Sequence, residues 1–412
     1  MSEFLFDDLE EKPKEKKTVL EVFGVKEFFK VNELLKNTLF DEDKKNALFD
    51  KFCNFDKDKD FLRDFFQEEG SARKSFKQDY TPDCLCELVS NLVSNNDCVY
   101  DECSGTGSLL IPFIKKGVKK VYCVELSENV IYFLLFNLAI RNVSGIVFNA
   151  DVLTNEVITT YQLEQGEKYS KIQEVKEVKE VGKQSLIISN PPYSLSWLGV
   201  YDNRCFGYEI PPKSKADFVF VLDILSKLEE EKEAFIILPH GVLFRGAEER
   251  KIRKILIEKG YVKSIIGLPQ NLFLNTGIPV FILHLKKSND TNRDVFFIDA
   301  SKHFQKSKSV NILTKEHIEK ISSCFKSRKD EDKFSRLVGF EEIEKNDYNL
   351  NIPRYVDTFE KEQIPELKSV VSEIVEIDNE IKIAEKKLAE QMKMLVGENY
   401  QNDIKEVLNL WT

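Results

Sequence analysis

From Val99 onward, short runs rich in β-branched residues alternate with stretches of helical spacing, and nothing else in the chain restricts its fold as strongly. VYDEC, VYCVE, IVFNA and LIIS come first, with helices expected to about Lys116 and from about Glu128 to Ile140; AFIIL, SIIGL and VFILHL follow. Strands alternating with helices predict an α/β fold on a mostly parallel, doubly wound sheet. Such sheets bind ligands beyond the carboxyl ends of their strands, so the turns after those strands are where chemistry is sought.

At 412 residues the chain has length for about two or three domains and a large core. No apolar run approaches the roughly 18 residues of a membrane span, and Met1 to Lys17 is too charged for a signal peptide, so a cytoplasmic protein without a membrane partner is expected. The eight cysteines include no C-x-x-C pair, and the nearest approach to a metal pair is Cys84-x-Cys86. With only four histidines, all beyond residue 239, the sequence predicts no metal site and a reduced compartment. The formal net charge of −10 excludes a chain that wraps nucleic acid by its mean field. Contact with DNA would have to be local or shared with a partner.

Helical spacing of Val22, Phe28, Phe29, Leu34, Leu35, Leu39, Leu48, Phe49 and Phe52 predicts a helical N-terminal region, residues 1–75. Within it Asp56-x-Asp58-x-Asp60 suggests a calcium loop, but Phe61 replaces the sixth-position glycine and Gln67 the final glutamate. A solvated charged turn is expected instead. The sheet domain should occupy 76–299 and a mixed region 300–364. Inside the sheet domain QEVKEVKEVGK (173–183), with its period of three, reads as a solvated insertion; the wider segment 154–183 is given no role. Over 365–397, Leu367, Val370, Ile374, Ile377, Ile381, Ala384, Leu388, Gln391 and Leu395 form an a/d seam of about four heptads, with Pro365 near its start and Gly397 at its stop. A lone helix of this kind is marginal in water and needs a partner; residues 398–412 are a tail.

Two motifs carry chemistry. VYDECSGTGSLL places Asp101, Ser104, Gly105, Thr106 and Gly107 between a strand and a helix, although the third glycine of a dinucleotide fingerprint would fall at Leu110. The glycines serve either a nucleoside cofactor or the turn alone. Glu125, after the next strand, stands where a carboxylate binds ribose hydroxyls, and Asp151 where one accepts from an adenine amino group.

The second motif is Asn190-Pro191-Pro192-Tyr193, at the carboxyl end of the LIIS strand. An amine on an aromatic ring or an amide is a poor nucleophile because its lone pair is delocalised. Hydrogen bonds from that amine to the Asn190 side-chain oxygen and to the Pro191 carbonyl, fixed by the proline rings, let its nitrogen pyramidalise. Tyr193 offers a face for stacking, worth about 1–3 kcal/mol. Alone, the tetrapeptide is also compatible with a plain proline turn.

Together the motifs resemble the S-adenosylmethionine-dependent amino methyltransferases that carry N-P-P-Y or D-P-P-Y, with cofactor motif first as in the gamma arrangement of DNA adenine methyltransferases. DYTPDCLCELVSNLV (79–93), with Tyr80, Thr81 and Pro82, is similar to the cofactor-capping segment of that family. FGYEIPPKSKADFVFVLDIL, AFIILPHGVLFRGAEERKIRKILIE, IIGLPQNLFLNTGIPVFILHLKK and YNLNIPRYV look like the modification subunit of type I restriction-modification systems. The resemblance covers roughly residues 75–397; the N-terminal region is shorter than many such subunits carry.

It implies a Rossmann-like class I methyltransferase fold and methylation of the N6 amine of a flipped-out adenine. S-adenosylmethionine would lie against Tyr80, Thr81, Pro82, Asp101, Ser104, Gly105, Thr106, Gly107, Glu125, Asp151 and Asn190, with Asn190, Pro191, Pro192 and Tyr193 catalytic and no metal. Asp217 and Phe218 are expected beside the pocket, Phe218 equally as core. Trp197 matches the family pattern, with contact to DNA or packing both open. The implied partners are DNA, a DNA-specificity subunit on helix 365–397, a second copy of the chain and a restriction subunit. Three alternatives remain: a solitary DNA adenine methyltransferase reading DNA through residues 300–412, a protein glutamine methyltransferase, and a non-catalytic scaffold.

Overall fold

Acidic residues end each of the first three strands, and the strands carry them to the same edge of one sheet. The computed structural model of the chain describes residues 19–27, 29–63, 81–94, 96–176, 181–199, 202–205, 207–274, 276–288, 291–358 and 367–393. Eleven strands form the main sheet. They are β1 (Cys98–Glu102), β2 (Lys120–Glu125), β3 (Ser144–Asp151), β4 (Glu156–Glu164), β5 (Lys171–Val175) and β6 (Gln184–Ser189). Then come β7 (Leu228–Pro239), β8 (Val262–Gly267), β9 (Val280–Lys286), β10 (Val295–Asp299) and β11 (Ser335–Val338). The helices used below are α1 (Phe29–Thr38), α2 (Glu42–Asp50), α3 (Asp83–Leu92), α4 (Ile111–Lys115), α5 (Glu128–Ala139), α6 (Asp217–Lys227), α7 (Ala247–Glu258), α8 (Lys315–Ser327), α9 (Phe340–Lys345) and α10 (Leu367–Lys393).

The central strands run β3-β2-β1-β6-β7, all parallel, so the cofactor motif after β1 and the tetrapeptide after β6 emerge side by side. Leu186, Ile187 and Ile188 of β6 are fully buried, as a strand covered on both faces requires. Alternate side chains point to opposite faces. Val99, Val121 and Cys123 join one core with α3, α4, α5 and α8, whereas Tyr100 and Val124 join the other with α6 and α7. Helices on both faces make the sheet doubly wound, as the alternation predicts. The edges add antiparallel pairs that the alternation does not reveal: β4 and β5 beyond β3, β9 between β7 and β8, and β11 beyond β10.

The repeat expected to be a solvated insertion is in part a strand. Lys171–Val175 pairs with β4 from Thr160↔Val175 to Glu164↔Lys171. An edge strand is held by its backbone ladder and needs few inward side chains; Ile172 is buried while Lys171 and Gln173 stay in water. Residues 177–180 of the repeat lie outside the described residues.

The helical N-terminal region shares the core of the sheet. Phe136 of α5 is the hub, with ring centroids of Phe23, Phe49 and Phe52 at 5.6, 5.0 and 5.3 Å. The chain up to Thr358 is one compact unit, and Phe359–Thr412 a second. Of the second, α10 is described. At 1.5 Å per residue it is about 40 Å long. Its seam residues Ile374, Ile377, Ile381 and Leu388 are exposed, and so are Val371 and Ile383 outside the seam, which widens the apolar stripe beyond a/d. Pro365, Leu395 and Gly397 of the expected helix, and the tail 398–412, fall outside the described residues.

Candidate functional site

A cavity opens over the carboxyl ends of β1, β2, β3 and β6. Its walls are Cys103–Gly105, Val124–Leu126, Ala150–Leu153 and Asn190–Tyr193, with Thr81 and Phe220 closing it. Thr81, Ser104, Gly105, Glu125, Asp151 and all four residues of the tetrapeptide thus meet in one place. Asp101, Thr106 and Gly107 stand behind the wall, Pro82 precedes α3 as its N-cap, and Tyr80 lies outside the described residues.

The turn after β1 takes its shape from positive φ angles at Cys103 (66°), Gly105 (56°) and Gly107 (87°). A Cβ on Gly107 would meet Leu134 Cδ1 of α5 at 2.8 Å, so this glycine also sets how closely the turn packs on the helix. Glu125 fastens the turn from β2. Its Oε2 accepts from the Gly105 amide at 2.8 Å and its Oε1 from the Ser127 amide at 2.7 Å, leaving each oxygen a further lone pair. Burial raises its pKa, and the backbone donors work against that rise.

Asp101 is 1% exposed, and neither carboxyl oxygen has a hydrogen-bond partner among the described residues. Burial first, and the negative charge of Glu125 second, push its carboxyl well above the usual range. An uncompensated buried acid of this kind favours a cationic or hydrogen-bond-donating ligand. Burial likewise raises the Cys103 thiol well above its ordinary value, which favours the protonated form of this wall residue.

Asn190 is gripped at both ends of its amide. Its Nδ2 donates to Thr81 Oγ1 at 2.9 Å, and its Oδ1 accepts from the Tyr193 hydroxyl at 2.7 Å. The Tyr193 ring lines the cavity and meets the edge of Phe273 with centroids 6.1 Å apart. Asp151 closes the opposite wall, its Oδ1 accepting from the Leu153 amide at 2.8 Å in a tight turn.

Asp217 and Phe218 part company. Asp217 accepts from the Ser194 amide at 2.8 Å and pairs with Arg245, fixing the chain just after Tyr193, where Ser194 has φ 53°. Phe218 is core, and Phe220, two residues on, reaches the cavity wall instead. Trp197 packs: its indole N–H donates to the Pro212 carbonyl at 3.1 Å and its backbone amide to Lys213 at 2.9 Å.

Two residues were beyond sequence reasoning. Arg204, 8% exposed, donates to the Val152 and Leu153 carbonyls and pairs with Asp202, so it ties the chain after the tetrapeptide to the wall beside Asp151. Asp60 contradicts the solvated-turn expectation. It is 4% exposed, and its Oδ2 accepts from the Thr106 and Ser108 hydroxyls at 2.5 Å each. Asp56 and Asp58 fit a charged turn at the surface, and only the third acid turns inward. Its partners stand more than forty residues further along the chain, so no local pattern could announce them.

No group of three side chains suited to a metal occurs among the described residues, and no helix among them is long and apolar enough to cross a membrane.

Comparisons with known proteins agree with the resemblance carried by the two motifs. The N-6 DNA Methylase family model matches residues 14–364. The MpnII methylase subunit, of a type I restriction enzyme from Mycoplasma pneumoniae, is 33% identical over 79% of this chain and 62% of its own length. The MjaVIII methylase subunit of Methanocaldococcus jannaschii, also of a type I restriction enzyme, is 32% identical over 73% of this chain and 53% of its own. The chain thus spans between half and two thirds of these relatives. Among solved structures, the type I restriction-modification system methyltransferase subunit of Streptococcus thermophilus superimposes with a TM-score of 0.62 and 35% identity, covering 76% of this chain and 68% of that one. The family match takes in both motifs, the sheet and the cavity between them, and on that ground the chain belongs to the N-6 DNA methylase family.

Proposed function

We propose that the chain methylates the exocyclic N6 amine of a flipped-out adenine in DNA, as the modification subunit of a type I restriction-modification complex in which a separate subunit reads the sequence. The observation that carries this reading is the position of the Asn190 amide, at the lip of the same cavity as the Gly-rich turn held by Glu125. When bound, S-adenosylmethionine supplies a methyl group made electrophilic by its sulfonium. The residues present fit that cofactor. On the cavity wall Glu125 offers a buried carboxylate for ribose hydroxyls and the half-buried Asp151 one for an adenine amine, while Asp101, just behind the wall, adds negative charge toward an ammonium group without touching it.

Thr81 turns the Asn190 side chain so that Oδ1 faces the tetrapeptide side. There it and the Pro191 carbonyl accept both protons of a target amine and keep its lone pair localised on nitrogen. Asparagine is no base; this device acts by geometry. The formal net charge of −10 and the exposed apolar stripe of α10 favour DNA contact shared with a specificity subunit over a solitary enzyme.

The test is methyl transfer from labelled cofactor to unmethylated DNA by the full chain, with and without a co-expressed specificity subunit. Label on adenine only with the partner supports the reading. Label on protein glutamine, or none in the complex, overturns it, and strong sequence-specific transfer by the chain alone overturns the partner dependence. Truncation after Thr358 removes α10 and is expected to abolish association with the specificity subunit in size-exclusion chromatography, while the first compact unit stays folded.

Cofactor binding should depend on pH. The Asp101 carboxyl of the free site titrates above the usual carboxylate range, and a cationic ligand binds its charged form better. Affinity for S-adenosylmethionine therefore falls as pH is lowered through that raised range, by up to about tenfold per pH unit for one proton taken up. Titration calorimetry in steps of pH checks this, and Asp101→Asn should flatten the profile.

A further inference from the structure

Asp60 sits in the N-terminal region, outside the doubly wound sheet, yet it is fastened to the turn that carries the cofactor motif. Besides the Thr106 and Ser108 hydroxyls on Oδ2, its Oδ1 accepts from Asn137 Nδ2 of α5 at 3.0 Å and from the Leu62 and Arg63 amides at 3.1 Å each. The same Asn137 nitrogen donates to the Thr106 carbonyl at 2.8 Å, closing a ring of contacts around the turn. Arg141 secures the segment from the other side, donating to the Lys57 and Lys59 carbonyls at 2.7 Å each.

Three residues on, Arg63 reaches the other half of the site. Its guanidinium pairs with Asp83 at the start of α3 and donates to the Thr81 carbonyl at 3.5 Å. Thr81 in turn accepts from Asn190. One turn, Asp60 to Arg63, therefore touches both the cofactor loop and the residue that orients the tetrapeptide.

We propose that this turn is a positioning element of the methyl-transfer site: Asp60 fixes the shape of the cofactor loop, and Arg63 fixes Thr81 and through it the Asn190 amide. The proposal rests on the methyltransferase reading above. A loop with glycines in left-handed conformations has high backbone freedom and gains most from an external anchor. Charge-assisted O–H···O⁻ bonds of 2.5 Å are the strong kind of anchor. Removing the acceptor takes the shared partner from two hydroxyls, the Asn137 side-chain amide and the Leu62 and Arg63 backbone amides, and the loop relaxes to meet them elsewhere. Neither Asp60 nor Arg63 lines the cavity, so both act through the residues they hold.

The test uses the full chain for cofactor binding by calorimetry and the assembled complex for transfer. Asp60→Ala, and Thr106→Val with Ser108→Ala, should each weaken S-adenosylmethionine binding at least tenfold, and the three changes together should cost no more than Asp60→Ala within twofold. Asp58→Ala, at the exposed position of the same turn, should stay within twofold of wild type. Arg63→Ala should lower kcat at least tenfold while the cofactor Kd moves no more than twofold, with part of kcat restored by Arg63→Lys. A merely structural turn gives lower melting temperatures with an unchanged Kd for the folded fraction, and that result overturns the proposal. Should Asp60→Ala fail to fold, Thr106→Val alone decides, since Thr106 stands behind the wall and its change leaves the other Asp60 bonds intact, whereas Ser108 lines the cavity and meets a ligand there directly. A wild-type chain that binds no S-adenosylmethionine overturns this proposal and the methyltransferase reading together; wild-type binding with an unchanged Kd in both variants overturns the turn's role alone.

Discussion

Asn190→Ala is expected to lower the rate of methyl transfer about a thousandfold, the upper end of what loss of one preorganised polar group costs an active site. The substitution removes the only side-chain amide that the tetrapeptide presents to the cavity and leaves the Pro191 carbonyl as a single acceptor for a two-proton amine. It also leaves the Thr81 and Tyr193 hydroxyls without their shared partner, but both can turn to water in the open cavity. Cofactor affinity should therefore change little, because the Gly-rich turn and Glu125 are untouched. Loss of kcat with a cofactor Kd within about threefold of wild type is the expected pattern. Asn190→Asp keeps an acceptor oxygen but loses the donor to Thr81, and should fall between the two. Single-turnover rates and calorimetry on the same preparations check both numbers. An Asn190→Ala enzyme within tenfold of wild type would remove the tetrapeptide from the chemistry.

What the sequence discloses and what it hides divide along a physical line. Strand ends are legible because a buried parallel strand must be apolar until it leaves the sheet, so the first polar residue after LIIS or VYCV marks the edge where ligands bind. Glu125 and Asn190 both line the cavity for that reason. Asp60 was illegible because its three short-spaced acids resemble a metal loop, and the property that matters, its fit against Thr106 and Ser108, exists only after α5 and the N-terminal region have packed. The same holds for Arg204, whose partners at Val152 and Leu153 are supplied by a different strand-end turn. Residues 173–175 of the repeat misled in the opposite sense, since the edge strand owes its state to backbone pairing with β4 rather than to its own side chains. Asp217 and Phe218 show the limit within one motif: the helix turns successive residues to different neighbours, so Asp217 faces Ser194 while Phe218 points into the core.

Gly145→Ala should be the most destabilising single change in the sheet. Gly145 of β3 lies directly opposite Val121 of β2 with φ +146°, a conformation that residues with a Cβ rarely adopt. A Cβ there would stand 1.7 Å from the Val121 carbonyl oxygen and 2.8 Å from its carbon. These are backbone atoms inside a hydrogen-bonded ladder, so no rotamer change relieves the overlap. The two strands must separate, and the pairs from Lys120↔Ser144 to Glu125↔Asn149 separate with them. A loss above about 4 kcal/mol is expected, the range reserved for mutations that break a fold locally. Gly117→Ala supplies the contrast: it too has positive φ, +104°, but a Cβ there meets nothing within 4 Å, so it should cost only the backbone strain, about 1–2 kcal/mol. Urea unfolding of the two variants separates clash from strain. The functional consequence follows from position, because Glu125 ends β2 and Asp151 ends β3, and both are walls of the cavity. Any folded fraction of Gly145→Ala should therefore have lost cofactor affinity, whereas Gly117→Ala should keep it; equal affinity in the two would mean that the register of β2 and β3 does not shape the site.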